Sequence, residues 1–258
     1  MSQRKIVTGA NSDYFYSLIT LLTTLLHRSD ASEYDLDIWD LGLTEKQLSL
    51  IGLCLRPSWK VRKLSELGSP PFPGAYRVNL RNFAWKSACI HLSIENCDSL
   101  LWIDSGVAFA NPVQLIFDQA ENNWCIVYKN NEYINRDWTS KSCANQMAAT
   151  SSELEAYQIH ANVLAFQANK ESVNLISKWH EACRHPQNVV SLDPNHRHDQ
   201  SVLSILISRF QIPIYSSTEI IQENSDFSLA VESNKIFLAH RQTFYWNDYN
   251  SLINSDYL

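Results

Sequence analysis

Hydrophobic positions change rhythm repeatedly along the chain, and each change marks a predicted element. Lys5 to Thr8 is a short apolar run that ends at Gly9-Ala10-Asn11, which predicts a strand closing in a turn. Phe15, Leu18, Ile19, Leu22, Leu25 and Leu26 then recur at three- and four-residue steps, the stripe of an amphipathic helix. Ser12 or Asp13 stands where an N-cap is needed. Asp35 to Leu41 alternates in strand fashion, and Thr44-Glu45-Lys46-Gln47 has the spacing of a capping box before a second helix to about Leu53. Trp59 to Leu64 predicts a third strand. The sum is β-α-β-α-β, the pattern of a parallel sheet with helices packed on it.

Farther along, Gly68 to Gly74 is a turn-rich surface loop and Asn82 to Asn96 a helix. Asn111-Pro112 turns into a short helical piece, Val113 to Gln119, and Trp124 to Tyr128 is a strand. Lys129 to Ser152 is rich in Asn, Ser and Thr and lacks periodicity, which predicts either a long functional loop or structure that periodicity does not show. Tyr157 to Phe166 is strand-like but broken by Ala161-Asn162. Lys170 to Cys183 predicts a helix with Val173, Ile176, Trp179 and Cys183 on one face. His198-Asp199-Gln200 opens an apolar helix, Ser201 to Phe210, and Gln211 to Ser216 and Lys235 to Leu238 are the last strands.

The densest apolar stretch is Leu100-Leu101-Trp102-Ile103, which stops at Asp104-Ser105-Gly106. Such a run predicts a buried strand in the middle of a parallel sheet. Ligands bind outside the carboxyl ends of such strands, so Asp104 is expected at a crevice. The plainer alternative is a polar residue that merely closes the strand.

Composition narrows the function classes. The chain has 258 residues, 45% hydrophobic and 19% charged, enough for one sizeable core and too apolar for disorder. A formal net charge of -6 disfavours a nucleic-acid partner held by phosphate attraction. Cys54, Cys89, Cys97, Cys125, Cys143 and Cys183 include no C-x-x-C pair, and Cys89, Cys97 and Cys125 fall in apolar segments as small buried hydrophobes. Leu18 to Leu26 is interrupted by threonines and falls short of the roughly 20 residues a membrane span needs. A single domain over 1–258, soluble and cytoplasmic, is expected. His180, His185, His196 and His198 lack metal-ligand spacing and are expected in loops.

Val7-Thr8-Gly9-Ala10-Asn11-Ser12 looks like the opening of a short-chain dehydrogenase, but Asp13 and Phe15 replace the further glycines a pyrophosphate requires. No Tyr-x-x-x-Lys pair follows to supply the acid and base. A different resemblance spans most of the chain. Val7-Thr8-Gly9-Ala10-Asn11 with Tyr14, Ala84-Trp85-Lys86, Leu101-Trp102-Ile103-Asp104-Ser105-Gly106 and His198-Asp199-Gln200 together resemble the nucleotide-sugar-dependent glycosyltransferases of the GT-A fold, nearest to the glycogenin-like type. A weaker match is Phe237-Leu238-Ala239-His240-Arg241.

The resemblance implies an α/β, GT-A-like domain with a mostly parallel central sheet and helices on both faces. Residues up to about 110 would bind the nucleotide, and 111–258 the donor sugar and acceptor. It implies a hexosyltransferase-like, retaining enzyme that moves a sugar from a nucleotide-diphosphate sugar, UDP favoured, to an acceptor. Thr8, Gly9, Ala10 and Tyr14 would hold base and ribose, and Lys86 the diphosphate. Asp104, Ser105 and Gly106 stand at the family's Asp-x-Asp motif, Asn162 lies near the donor sugar, and Asp199 and Gln200 orient it. A divalent Mn²⁺ or Mg²⁺ would use Asp104 and His240, since such ions favour oxygen ligands and Mn²⁺ accepts nitrogen. Gly106 departs from the pattern, because the second carboxylate is commonly the direct metal ligand; Lys86, Arg81 or Arg241 are then the groups to neutralise phosphate. A non-catalytic nucleotide-sugar or glycan-binding module and a nucleotidyltransferase are the alternatives.

Overall fold

Strand β1 (Arg4–Ala10) leads into helix α1 (Phe15–Arg28), and the same alternation continues through β2 (Tyr34–Asp40), α2 (Glu45–Cys54) and β3 (Trp59–Lys63). The structure is a computed structural model that describes residues 3–28, 33–67, 80–222 and 227–239. The expected loop from Gly68 to Gly74 and the stretch from His240 lie outside the described residues. Next come α3 (Ala84–Ser93), β4 (Ser99–Ile103), β5 (Val107–Phe109), α4 (Gln114–Asn123) and β6 (Cys125–Ile134). Three short helices follow, α5 (Asn135–Trp138), α6 (Lys141–Gln146) and α7 (Ser151–Glu155), then β7 (Tyr157–Ile159) and β8 (Val163–Gln167). The remainder is α8 (Lys170–Cys183), α9 (Pro186–Val189), α10 (Asp199–Arg209), β9 (Ile214–Ser216), β10 (Ile221–Gln222), α11 (Phe227–Glu232) and β11 (Phe237–Ala239).

The main sheet runs β3-β2-β1-β4-β8-β6-β7, with β9 alongside β6. β3, β2, β1 and β4 are mutually parallel, whereas β8 pairs antiparallel with both β4 and β6. A small second sheet, β10-β11-β5, lies beyond β4. The strands read as unbroken apolar runs because both faces of the sheet are covered. Leu101 and Ile103 pack with Leu36, Ile38, Val163 and Ala165 beneath α1 and α4. Their neighbours Leu100 and Trp102 point the other way, with Trp39, Leu164 and Phe166, against α3, α8 and α10. The result is a mostly parallel mixed sheet with helices on both faces.

Several expectations need correction. β4 is not inside a purely parallel sheet; it is the seam between the parallel half and the antiparallel β8. The cap before α1 is Asn11, whose side chain accepts from the Tyr14 amide of a 3-10 turn, so Ser12 and Asp13 lie inside the turn. Lys129 to Ser152 is not a loop: β6 runs on to Ile134, and α5 to α7 occupy the rest. Its Ser and Thr residues are caps, Ser140 on α6 and Thr150 with Glu153 in a capping box on α7. Helices this short have no room for a 3.6-residue period. On α8 the buried stripe uses Ser172 and Leu175, leaving Val173 exposed. His180 sits within α8, stacked on His91 of α3, rather than in a loop. Cys97 is half-buried; Cys89 and Cys125 are buried as expected.

Candidate functional site

Three charged groups from separate elements meet at the carboxyl ends of the central strands. Asp104 follows β4 directly. Its amide donates to the Asn162 carbonyl at 2.9 Å, and its own carbonyl accepts from Val107 at 3.0 Å, a tight turn that buries Ser105. Trp102 lies two residues earlier on the same side of the strand, and its Nε1 donates to Asp104 Oδ1 at 2.8 Å. Lys86 Nζ reaches the same oxygen at 2.9 Å and Oδ2 at 3.3 Å.

Lys86 occupies the first turn of α3, where a cation opposes the helix dipole. It is also 3% exposed, so its charge persists only because partners surround it. Besides Asp104, its ammonium donates to the Ala161 carbonyl at 2.9 Å. It lies 5.6 Å from the Trp102 ring centroid and 5.7 Å from that of Phe83. Burial works against the ammonium, but Asp104 and then Asp199 outweigh it and raise its pKa.

Asp199 begins α10 and is 2% exposed. Trp179 Nε1 on α8 donates to its backbone carbonyl at 3.1 Å. Burial pushes its carboxyl up to about 7, against the pull of Lys86 and with a further push from Asp104. Oδ2 of Asp199 is buried and, among the described residues, has no hydrogen-bond partner. A buried oxygen in that state is costly unless a donor beyond the described residues completes it. Gln200, next in α10, donates from Nε2 to Gln158 Oε1 at 3.0 Å, which fixes its amide against β7. Asn162 Oδ1 and Gln158 Nε2 are also buried without partners among the described residues.

The edges of this cluster carry backbone strain. Phe83 before α3 has φ 56°, and His198 before α10 has φ 51° and ψ -121°, both in the left-handed half rarely adopted by side-chain-bearing residues. Their rings lie 6.2 Å apart, joining the two helix starts. His198 Nδ1 contacts the Val189 carbonyl at 2.7 Å, and since a carbonyl only accepts, the proton sits on Nδ1.

The N-terminal residues leave the sheet at the same edge, because Val7 is the parallel partner of Trp102. Thr8, Gly9 and Ala10 are buried in β1, while Tyr14 is 54% exposed just beyond it. A Cβ on Gly9 would stand 3.3 Å from Leu41 Cδ1 and from Trp39 Cβ, so its missing side chain serves the close approach of β2 and the turn after it. The structure thus gathers Lys86, Asp104, Asn162, Asp199 and Gln200, and sets Gly106 on the half-buried turn beside them. Arg81 is exposed. His240 and Arg241 lie outside the described residues. Among the described residues no group of three or more His, Cys, Asp and Glu side chains is placed to hold a metal ion. The sequence reading passed over Trp102, Gln158, Phe83 and the Ala161 carbonyl. None of the four carries a local signal, since an indole two residues before a carboxylate on an apolar strand reads as core. Burial raises the thiols of Cys89, Cys125 and Cys183, so they are inert packing groups rather than nucleophiles.

No protein-family model and no curated protein sequence matches the chain. Solved structures do. The galactosyltransferase LgtC in complex with donor and acceptor sugar analogs superposes with TM-score 0.58 at 14% identity, over 92% of this chain and 87% of that one. The bifunctional glycosyltransferase WbbM gives 0.60 at 13% identity over 93% of this chain and 46% of its own. Mouse xyloside xylosyltransferase 1 gives 0.52 at 10% identity, over 93% and 97% of the two chains. At these identities the likeness is one of fold, and it runs nearly end to end. Among the described residues, no helix is long and apolar enough to cross a membrane.

Proposed function

We propose that this chain, which has the GT-A-type fold of glycosyltransferases, transfers a sugar from a nucleotide-diphosphate sugar, with UDP the favoured carrier, to an acceptor hydroxyl. The observation that carries the reading is the meeting of Lys86, Asp104 and Asp199 from three elements, with Asp199 Oδ2 buried and lacking a donor among the described residues. A sugar hydroxyl is the kind of donor that oxygen needs. The Trp179 contact and the neighbouring Gln200–Gln158 bond hold the start of α10 still for that purpose.

In the transfer, the bond from the anomeric carbon to the diphosphate oxygen breaks and its electron pair leaves on the nucleoside diphosphate. A bond from the acceptor oxygen to that carbon forms, and the acceptor proton ends on the released diphosphate. Lys86 supplies a fixed positive charge close to where that negative charge develops, in a site with little water to screen it. Asp104 and the Ala161 carbonyl keep the ammonium in place and charged. Asp199 and Gln200 orient the sugar, and the end of β1 with Tyr14 receives base and ribose. Retention of anomeric configuration belongs to the proposal through the resemblance to the glycogenin-like type. Calorimetric titration with a panel of UDP- and GDP-sugars tests it, followed by NMR of the released or transferred sugar. Failure to bind every member of the panel sinks the reading.

Gly106, standing where a second carboxylate would be, favours a second reading: a nucleotide-sugar or glycan-binding module without turnover. Binding with no donor hydrolysis and no transfer across a broad acceptor panel would select it.

A further inference from the structure

We propose that the Lys86 ammonium takes the place of a divalent cation in this site, so that the nucleotide-sugar binds without metal. The inference rests on the glycosyltransferase reading and adds to it the identity of the charge carrier.

The donor set is the first reason. A divalent Mg²⁺ or Mn²⁺ needs several open oxygen ligands, usually including one or two carboxylates. The Asp104-Ser105-Gly106 turn supplies one carboxylate, and the third position has no side chain. That one carboxylate is already engaged: Oδ1 accepts from Trp102 Nε1 at 2.8 Å and lies 2.9 Å from Lys86 Nζ, and Oδ2 is 3.3 Å from the same ammonium. An ion bound to either oxygen would face a buried positive charge at close range, where screening is weak. As held here, Asp104 offers a divalent cation one carboxylate that it must share with an ammonium.

The second reason is how firmly the ammonium is built in. Lys86 is 3% exposed, in the first turn of α3 where the helix dipole disfavours it, and is fixed by Asp104 and the Ala161 carbonyl. A lysine kept in such a place against both burial and the dipole needs a purpose beyond packing, and a permanent positive charge in a donor cleft is one. Asp104 is then the anchor of that charge.

The test uses the full chain. UDP-glucose and UDP-galactose are titrated calorimetrically in excess EDTA and again in Mn²⁺, alongside a titration of Mn²⁺ alone followed by the EPR signal of the free ion. The dissociation constants should agree within about threefold in the two conditions, and Mn²⁺ alone should show no site that Asp104→Asn removes. Lys86→Met, with a far-UV spectrum like the parent, should weaken donor binding by about tenfold or more, and Mn²⁺ should not restore it. Binding that appears only with Mn²⁺, or tightens by tenfold or more in it, overturns the inference while leaving the glycosyltransferase reading intact. Binding of neither sugar nucleotide in either condition overturns both. If Lys86→Met does not fold, the EDTA and Mn²⁺ comparison on the parent chain decides the matter.

Discussion

Trp179 Nε1 donates to the backbone carbonyl of Asp199 at 3.1 Å, tying the middle of α8 to the first residue of α10. The indole is fully buried, so the bond is shielded from water and sets where the Asp199 carboxyl can lie. Trp179→Phe keeps most of the packing and removes the donor. The expected result is a loss of about 1–2 kcal/mol in unfolding free energy. Donor-sugar affinity should fall by about fivefold or more, a larger share than a purely structural role would give. Urea unfolding and calorimetry on the same preparations check the pair of effects; unchanged donor affinity would count against Trp179 as a positioning residue.

Asp199 itself should show a trade between stability and function. The residue is 2% exposed, its pKa is pushed up to about 7, and Oδ2 has no partner among the described residues. Asp199→Asn keeps the shape and removes the buried charge. Above about pH 7 the variant should be more stable than the parent by roughly 1–3 kcal/mol. Donor turnover or affinity should drop by about 100-fold, because the amide is a weaker acceptor at the position assigned to the sugar. Thermal unfolding and donor titration together decide it. A variant both less stable and fully active would remove Asp199 from the site.

The path from residues to this site was readable where one period dominated. Leu100 to Ile103 announced a doubly covered strand, Thr44 and Gln47 announced their capping box, and the resemblance named Lys86, Asp104 and Asp199, which lie together in the structure. What was not readable depended on contacts made across the fold. Nothing local distinguishes an indole that packs from one that holds a carboxylate, so Trp102 passed for core. The Ala161 carbonyl acts through the backbone and has no side-chain signature. Strain at Phe83 and His198 is equally silent, since neither residue type advertises a left-handed φ. The three helices between Asn135 and Glu155 are shorter than the window in which periodicity can be recognised.

Gly9 separates a packing role from a binding role. A Cβ there stands 3.3 Å from Trp39 Cβ, which cannot swing away, and 3.3 Å from Leu41 Cδ1, which can. Gly9→Ala should cost about 1 kcal/mol and Gly9→Val about 2–3 kcal/mol by overpacking the β1–β2 contact. Nucleotide affinity per folded molecule should stay within about twofold for Gly9→Ala. If Gly9→Ala abolishes nucleotide binding while its urea midpoint is unchanged, the glycine contacts ligand rather than β2.

His196 gives the fold a pH dependence whose sign follows from its contacts. It is 3% exposed; Nδ1 accepts from the Ser140 amide at 3.2 Å, which leaves Nε2 to donate to the Asn188 carbonyl at 2.9 Å. Protonation would aim a second N–H at an amide N–H. Burial and then the neighbouring His198 pull its pKa down to about 4, from an ordinary value of 6.5. Between those two values the unfolded chain binds a proton that the folded chain refuses, so stability falls as pH drops through the window and levels off below it. From about pH 7.5 to about pH 5 the contribution of His196 should amount to about 2 kcal/mol lost. His196→Gln should be less stable at the upper pH, through imperfect replacement of two hydrogen bonds, yet show a shallower decline on acidification. Urea midpoints of both proteins at the two pH values measure this, and the comparison cancels the parallel effect of His180, also pulled down to about 4. Equal slopes for parent and variant would mean that the ring accepts its second proton in the folded state, and that the α6–α9 contact it bridges tolerates a charge.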